Sequence, residues 1–322
     1  MLLSFEETSK IISDSNGKLL HIAGTESLIK KLPKGNWIGG STEYFMSDAG
    51  GKVTNEQLFV TSFPYDEFKI SSYDENTISN VTTDAYSNGF SIMIIPFDSV
   101  VHRTYADKAS EFEGMFIKNI AGWIAGFNLN VQGQIPIAVN GATGEVFTNK
   151  AVVVHICVPD DKLVNIGIVN IFTQDKNSPV LEFSEDGFSA KTCRVNGNEV
   201  VLADYIEQNG IDTKFPLIGD YSGVGVNISF KSIENGLVNF YGPVFRGIKY
   251  KTAKPIDNYV NAFNNHLKEL KNIESAFSCN CILNFLYGEL EGKDIKAFFG
   301  PITFGEVAYQ LVNQTLVYVT VS

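Results

Sequence analysis

Short runs of β-branched and aromatic residues dominate the hydrophobic pattern of this chain, and Gly, Asn, Asp or Pro bounds most of them. Such runs predict strands. Asn-Gly pairs between runs accept the positive φ angles of tight hairpin turns at low cost, so we expect largely antiparallel sheets. These pairs are Asn16-Gly17, Asn196-Gly197 and Asn235-Gly236. The predicted strands include "QLFVTSF", "FSIMIIPF", "AVVVHICV", "LVNIGIVNIF", "GVGVNISF" and "QTLVYVTV".

Helical spacing is confined to a few segments. From Asp107 to Phe127 apolar residues recur at steps of three and four, which predicts one long amphipathic helix. The same spacing from Ile256 to Leu270, after Pro255, predicts a second. Shorter helices are expected at Phe5 to Ile12, Thr25 to Lys31 and Val201 to Asn209.

Strand clusters interrupted by single helices favour an α+β fold with helices on the outer faces of mainly antiparallel sheets. A chain of 322 residues with 44% hydrophobic content can bury a large core, and its length favours two packed subdomains. The boundary is expected between Gly210 and Pro216, which divides the chain into residues 1–210 and 211–322. No linker-like stretch separates these halves, so they are expected to pack directly on each other.

Charge and composition restrict which classes of partner are expected. A net charge of −11 argues against nucleic acid or an anionic membrane surface as a partner. The apolar runs fall short of a membrane span, and the N-terminus lacks the basic start of a signal peptide, so we expect a cytoplasmic protein. The four cysteines form no CxxC pair and are expected to be reduced thiols: Cys157, Cys193, Cys279 and Cys281.

The familiar catalytic signatures are missing from the sequence. It contains no P-loop, no GxGxxG between a strand and a helix, no GxSxG elbow and no HExxH pair. An enzyme that uses one of these devices is therefore disfavoured, and whether the protein is an enzyme at all stays open.

One pattern recurs three times. "WIGGSTEYF", "NGATGEVF" and "GPITFGEVAY" each place a Glu and an aromatic residue after Gly and small hydroxyl residues. Glycines let backbone amides approach a ligand, hydroxyls donate and accept hydrogen bonds, and a carboxylate binds an amine. The combination suits a small polar or amino-acid-like molecule. The alternative is that these are glycine-containing turns that enter strands, with each Glu solvated.

These elements, taken in order, resemble the FIST proteins (F-box and intracellular signal transduction) of the stand-alone bacterial type. "WIGGSTEYF" is similar to the "GCST" element of the N-terminal FIST region, with Gly40 where Cys is usual. "TFGEVAYQLVNQTLVYVTV" is similar to the end of the C-terminal region, and the likeness runs from Leu20 to Val321. The chain departs from the family after Cys279, where Asn280 stands in place of a Gly-Arg pair.

The resemblance implies a sensory module for a small, amino-acid-like molecule, and this chain would be either a stand-alone sensor that signals to a separate protein or a plain ligand-binding protein. We expect the pocket between the two halves, because such junctions commonly hold binding sites. Hydroxyl groups, carboxylates, an amide and a pocket-wall thiol are the expected contacts. The candidate ligand-binding residues are Gly40, Ser41, Thr42, Asn140, Glu145, Cys279, Gly305 and Glu306.

Three alternatives stay open. Some relatives bind haem, so haem is a candidate cofactor. The histidines that would then matter are His21, His102, His155 and His266, although a satisfied core histidine is the commoner role for those in apolar strands. The second alternative is an enzyme with Cys279 or Cys281 as nucleophile, which would need a base supplied by the fold. The third is a protein-interaction scaffold without a ligand.

Overall fold

The computed structural model describes residues 1–14, 17–221, 223–268, 270, 273–293 and 298–322. It confirms an α+β fold of mostly antiparallel sheets with few helices. Within the described residues the helices are α1 (Phe5–Asp14), α2 (Glu26–Ile29), α3 (Asn80–Thr83), α4 (Val100–Lys108), α5 (Leu202–Gln208), α6 (Tyr259–Lys268) and α7 (Ile282–Tyr287).

The strands occupy both ends of the chain and its middle. They are β1 (Leu2–Leu3), β2 (Leu19–Gly24), β3 (Trp37–Ser41), β4 (Tyr44–Ser47), β5 (Gly50–Val53), β6 (Leu58–Phe63), β7 (Phe68–Tyr73), β8 (Gly89–Pro96), β9 (Ile120–Ala125), β10 (Ala138–Asn140), β11 (Glu145–Phe147), β12 (Ala151–Cys157), β13 (Val164–Val169), β14 (Leu181–Glu182), β15 (Gly187–Ala190), β16 (Thr192–Val195), β17 (Asn198–Val201), β18 (Leu217–Tyr221), β19 (Val224–Ile228), β20 (Phe230–Glu234), β21 (Leu237–Val244), β22 (Lys249–Thr252), β23 (Phe277–Cys281), β24 (Gly300–Thr303), β25 (Glu306–Ala308), β26 (Gln310–Val312) and β27 (Leu316–Val321).

Three six-stranded sheets share one topology. Their orders are β1-β6-β2-β3-β10-β11 (sheet I), β7-β12-β8-β9-β25-β26 (sheet II) and β13-β27-β23-β24-β4-β5 (sheet III). In each sheet only the third and fourth strands are parallel, and a helix lies between them in the chain: α2, α4 or α7. A parallel pair needs such a crossover, whereas its antiparallel neighbours do not. The body of the protein is therefore built from three equivalent modules.

The modules interlock through their hairpins. The hairpin β4-β5 of the first module completes sheet III, β10-β11 of the second completes sheet I, and β25-β26 of the third completes sheet II. Each sheet thus depends on strands from a neighbouring module. Sheet III, for example, joins residues 44–53 to strands near the C-terminus.

A smaller subdomain is inserted in the third module, between β13 and α6. It contains β14 to β22 and α5, arranged as a six-stranded and a three-stranded sheet. Its own core includes Leu181, Leu202, Phe240 and Tyr250. The predicted division between residues 1–210 and 211–322 stays a prediction, and residues on both sides of position 210 contribute to this core.

The main core lies where the three sheets meet. Leu19 of sheet I, Trp123 of sheet II and Phe277 of sheet III are buried in one cluster. His21 lies edge-on to Trp123 and Phe277, with ring centroids at 5.7 and 5.1 Å. Burial on both faces explains why the central strands read as continuous apolar runs instead of alternating ones.

The predicted helix from Asp107 to Phe127 is wrong. The structure has α4, two 3-10 turns (Ala109–Glu111 and Met115–Ile117) and then strand β9. Gly114, in the left-handed region with φ 73°, interrupts any helix. The apolar spacing further on comes from β9, whose six residues are all buried, and a short buried strand cannot be told from a helix by periodicity alone.

The four other predicted helices and two of the three predicted turns are confirmed. Helices α1, α2, α5 and α6 lie within the four remaining predicted segments, give or take two residues at the ends. Asn196 and Asn235 have φ of 48° and 52° in the turns of β16-β17 and β20-β21. Asn16, the first residue of the third predicted turn, lies outside the described residues.

Candidate functional site

Glu306 begins strand β25 and is fully buried. It follows Gly305, whose φ of 146° lies outside the usual range of side-chain-bearing residues, and it pairs with Trp123 across sheet II. The turn therefore directs a carboxyl group into the protein interior, where an ionised group would be costly unless it were well compensated.

The hydrogen bonds of Glu306 fit a neutral acid. Its Oε2 accepts from the Thr315 hydroxyl at 2.8 Å and from the Thr315 backbone at 3.4 Å. Its Oε1 lies 2.8 Å from the Thr303 hydroxyl, which also lies 3.2 Å from the Asn280 carbonyl oxygen. Thr303 has one proton, and the carbonyl can only accept. A protonated Oε1 that donates to Thr303 satisfies all three groups.

Electrostatics point the same way. Burial raises the pKa of Glu306 to about 8, and the hydrogen bonds that Thr303, Thr315 and Cys281 can donate to the ionised form act in the opposite direction. The group is therefore mostly protonated at neutral pH. A neutral buried acid can change its charge when its surroundings change, which is common at functional sites and also occurs in structural networks.

The cysteines beside Glu306 are not activated. Cys279 Sγ donates to the Gly122 carbonyl at 3.4 Å, and both Cys279 and Cys281 are buried. Burial, followed by the proximity of Glu306, raises the pKa of both thiols well above the ordinary value. A nucleophilic cysteine needs the opposite shift.

Ser41 and Thr42 join neighbouring modules. The Ser41 hydroxyl donates to the Gly126 carbonyl at 2.8 Å and accepts from Ile137 N, while the Thr42 hydroxyl donates to the Ile302 carbonyl at 2.7 Å. These bonds use both hydroxyl groups. The two residues also line a cavity of about 10 Å³, which has roughly the room of one water molecule.

The packing around Gly40 leaves no room for a side chain at this position. A Cβ at this position would lie 2.5 Å from Ile94 Cγ2 and 2.9 Å from the Trp123 ring. The Cys that FIST elements carry here would not fit without movement of sheet II.

Asn140 and Glu145 pair with each other next to the turn of the hairpin β10-β11. Asn140 Oδ1 accepts from the backbone of Ala142 and Thr143, and Glu145 is exposed on the edge strand β11, where it accepts from the Thr143 hydroxyl. Among the described residues no hydrogen bond joins Glu145 to Ser41 or Glu306. The structure thus brings Ser41, Thr42, Gly305, Glu306 and Cys279 to the junction of the sheets and leaves Glu145 at the surface.

The three similar sequence stretches are not all equivalent. "WIGGSTEYF" and "GPITFGEVAY" both connect the fourth strand of a sheet to the exchanged hairpin, β3 to β4 and β24 to β25. "NGATGEVF" is instead the turn within the hairpin β10-β11. The first stretch contains a buried carboxylate that the sequence analysis did not select, Glu43, which accepts from Asn128 Nδ2 at 2.7 Å and Gln134 Nε2 at 3.0 Å.

The histidines of the strands are buried and hydrogen-bonded. His21 Nε2 accepts from Trp123 Nε1 at 2.8 Å, and His155 lies 2.8 Å from the Ser91 hydroxyl and 2.9 Å from that of Tyr73. Burial lowers the pKa of His21 to about 3 and that of His155 to about 4. Both are therefore neutral core residues at physiological pH.

A cleft of about 510 Å³ lies elsewhere. It is formed by residues 212–215 of the inserted subdomain, residues 256–261 at the start of α6, and residues 287–293 after α7. All of its described lining comes from the second predicted half, and none of the eight predicted residues lines it. Three separate segments form the cleft, so no local sequence pattern could have indicated it.

The cleft has aromatic walls and a charged rim. Phe215, Tyr259 and Tyr287 are half-buried within it. The charged side chains around them are exposed: Asp212, Lys214, Asp257, Glu289 and Lys293.

A ladder of polar side chains connects the cleft to Glu306. The Tyr259 hydroxyl donates to Asn284 Oδ1, and Asn284 Nδ2 donates to Asn280 Oδ1 at 2.8 Å. The Asn280 carbonyl in turn accepts from Thr303, the partner of Glu306. Side-chain hydrogen bonds and the backbone of Asn280 therefore connect Tyr259 to the buried acid.

The fold and the site define an α+β protein with three interlocked modules and a polar cleft against an inserted subdomain. The chain belongs to a family of unknown function, DUF6976, whose model matches residues 3–322. No curated protein matches the chain. In the part of the chain that the structure describes, no helix has the length and apolar character needed to cross a membrane, and no group of three or more His, Cys, Asp or Glu is placed to hold a metal ion.

Proposed function

We propose that this protein is a sensory protein that binds a small zwitterionic, amino-acid-like molecule in the 510 Å³ cleft. The observation that carries the proposal is the presence of both charge signs around aromatic walls in one cleft. An ammonium group pairs with carboxylates and a carboxylate pairs with lysine, so a zwitterion matches both.

Not all charged side chains of the cleft rim form ion pairs with each other. Lys293 Nζ lies 3.5 Å from Glu289, which makes one exposed ion pair. Lys214 and Asp257 have no ion pair among the described residues, and we assign them to the carboxylate and the ammonium of the ligand. Phe172 supports the walls from behind, with its ring centroid 6.3 Å from Phe215 and 5.9 Å from Tyr259.

The position of the cleft suits sensing. A ligand there would contact the inserted subdomain through residues 212–215 and the third module through residues 256–261 and 287–289. Binding would therefore favour the arrangement in which these parts are close, and the ladder from Tyr259 would pass the change to Glu306. The resemblance to FIST proteins supports the same class of ligand and a role in signalling.

Calorimetric titration with the standard amino acids tests the proposal. We expect at least one to bind, and Lys214→Met and Asp257→Asn each to weaken binding by about tenfold, since each removes one charge-assisted contact. Lys162→Met and Asp160→Asn, at exposed positions outside the cleft, are the matched controls. Absence of binding by every amino acid, or equal binding by the cleft variants and the controls, would contradict the proposal.

The alternatives have less support. Both thiols near Glu306 have raised pKa values, which does not favour a cysteine-dependent enzyme. Haem would add an intense absorption band near the violet edge of the visible spectrum, so a spectrum of the purified protein tests that alternative. A ligand-free scaffold predicts no response to any small molecule in the titration above.

A further inference from the structure

A cavity of about 90 Å³ lies between the main body and the inserted subdomain. Phe97, Asp98, His102 and Arg103 line it from the turn between β8 and α4 and the first turns of α4. Strands β15, β20 and β21 of the subdomain close the opposite side with Phe188, Ser189, Lys231, Asn239, Phe240 and Tyr241.

His102 offers an unused hydrogen-bond donor. Its Nδ1 accepts from the backbone N of Asp98 at 3.2 Å, so the neutral ring carries its proton on Nε2. The side chain is 2% exposed, and the buried Nε2 has no hydrogen-bond partner among the described residues. Burial lowers the pKa of His102 to about 4, so the ring is a neutral donor at pH 7. Buried donors are rarely left unpaired, which indicates a missing acceptor.

Two cations flank the same space. Arg103 lies over the Phe188 ring at 5.4 Å, and Lys231 lies over the Phe97 ring at 5.1 Å. Asp98 is the facing carboxylate, 2.5 Å from Arg103 and 3.9 Å from Lys231. The cluster is therefore positive by one charge in a chain whose net charge is −11.

The N-terminus of helix α4 adds to the positive electrostatic potential at the cavity. The helix spans nine residues with Ser99 as its N-cap, and Asp98, His102 and Arg103 around its first turn line the cavity, so its partial positive charge lies beside the cavity. A volume of 90 Å³ corresponds to about three water molecules, the size of a small oxyanion.

We propose that this cavity binds a small oxyanion, with His102 Nε2–H, Lys231 and Arg103 as its ligands. The oxyanion supplies the acceptor that His102 lacks, and it joins α4 to strands β20 and β21. Asp98 holds the two cations in place when the site is empty. The site is separate from the 510 Å³ cleft and does not depend on the function proposed for it.

Thermal unfolding in potassium phosphate, compared with potassium chloride at equal ionic strength, tests the proposal. We expect phosphate to raise the midpoint saturably in the wild type. Lys231→Met keeps the apolar stem over Phe97 but removes the charge, and we expect it to weaken phosphate binding about tenfold. Lys162→Met, exposed and outside the cavity, should respond like the wild type.

A parallel titration with acetate separates the two sources of an oxyanion. A larger response to phosphate supports a phosphate site, and a larger response to acetate supports a carboxylate site. The ¹⁵N-attached proton of His102 Nε2 should shift on binding in an NMR spectrum. A wild type that responds to neither anion beyond chloride, or a Lys231→Met variant that responds like the wild type, would overturn the proposal.

Discussion

Thr303 lies between Glu306 and the Asn280 backbone: its hydroxyl oxygen is 2.8 Å from Glu306 Oε1 and 3.2 Å from the Asn280 carbonyl oxygen. When the Thr303 hydroxyl donates to that carbonyl, a protonated carboxyl group supplies the proton between Thr303 and Glu306. The acid at the junction of the sheets is therefore part of a hydrogen-bond network, and its charge state is coupled to folding.

The charge state of Glu306 predicts how stability depends on pH. Its pKa rises from an ordinary 4.5 to about 8 on folding, so the folded protein keeps a proton that the unfolded chain releases. The stabilisation is fully present below about pH 4.5 and is lost as pH rises towards 8, by at most about 1.4 kcal/mol per pH unit.

Glu306→Gln isolates this contribution. Glutamine is neutral at every pH and can donate to Thr303, so the variant should gain stability relative to the wild type as pH rises from 5 to about 8. Urea unfolding at several pH values measures the difference, in which the contributions of the buried histidines cancel. Parallel curves for the two proteins would show that Glu306 is ionised in the folded state.

Tyr259→Phe should uncouple the cleft from the ladder. The change leaves Asn284 Oδ1 without its donor, at a cost of about 1–3 kcal/mol in the free energy of unfolding. Tyr287→Phe is the matched control, because Tyr287 lines the same cleft and its hydroxyl makes no hydrogen bond with the described residues. Equal destabilisation of the two variants in denaturant unfolding would contradict the role of the ladder.

The buried thiols should resist modification. At pH 7 we expect Cys279 and Cys281 to react with an aromatic disulfide reagent only as fast as the protein opens, because both are buried and protonated. Cys157 is partly exposed and should react first, so Cys157→Ser should remove the fast phase. Fast labelling of Cys279 or Cys281 in that variant would contradict this prediction and support the alternative of a cysteine-dependent enzyme.

Local sequence patterns predicted the turns and short helices because their causes are local. Asn196 and Asn235 adopt positive φ in their own hairpins, and Thr25 accepts from Leu28 N as the N-cap of α2. The same reasoning failed from Asp107 to Phe127, since the apolar spacing of β9 reflects burial on both faces of sheet II.

The candidate site was predicted only in part. Glu306 and Thr42 were selected from a glycine-rich pattern, and the structure places both at the junction of the sheets. Glu43 shares that pattern with Glu306 and was overlooked, while Glu145 was selected although it lies in a hairpin turn at the surface. Stretches of similar sequence therefore lie at different positions in the topology.

The sequence by itself determined the fold class, most of the short elements and the acidic character of the protein. Only the tertiary structure decided which strands share a sheet, as when Phe45 pairs with Pro301, and which side chains meet in the 510 Å³ cleft and in the 90 Å³ cavity. The reason is physical: turns and caps depend on neighbouring residues, whereas pairing between distant strands depends on how all three modules bury their apolar faces together.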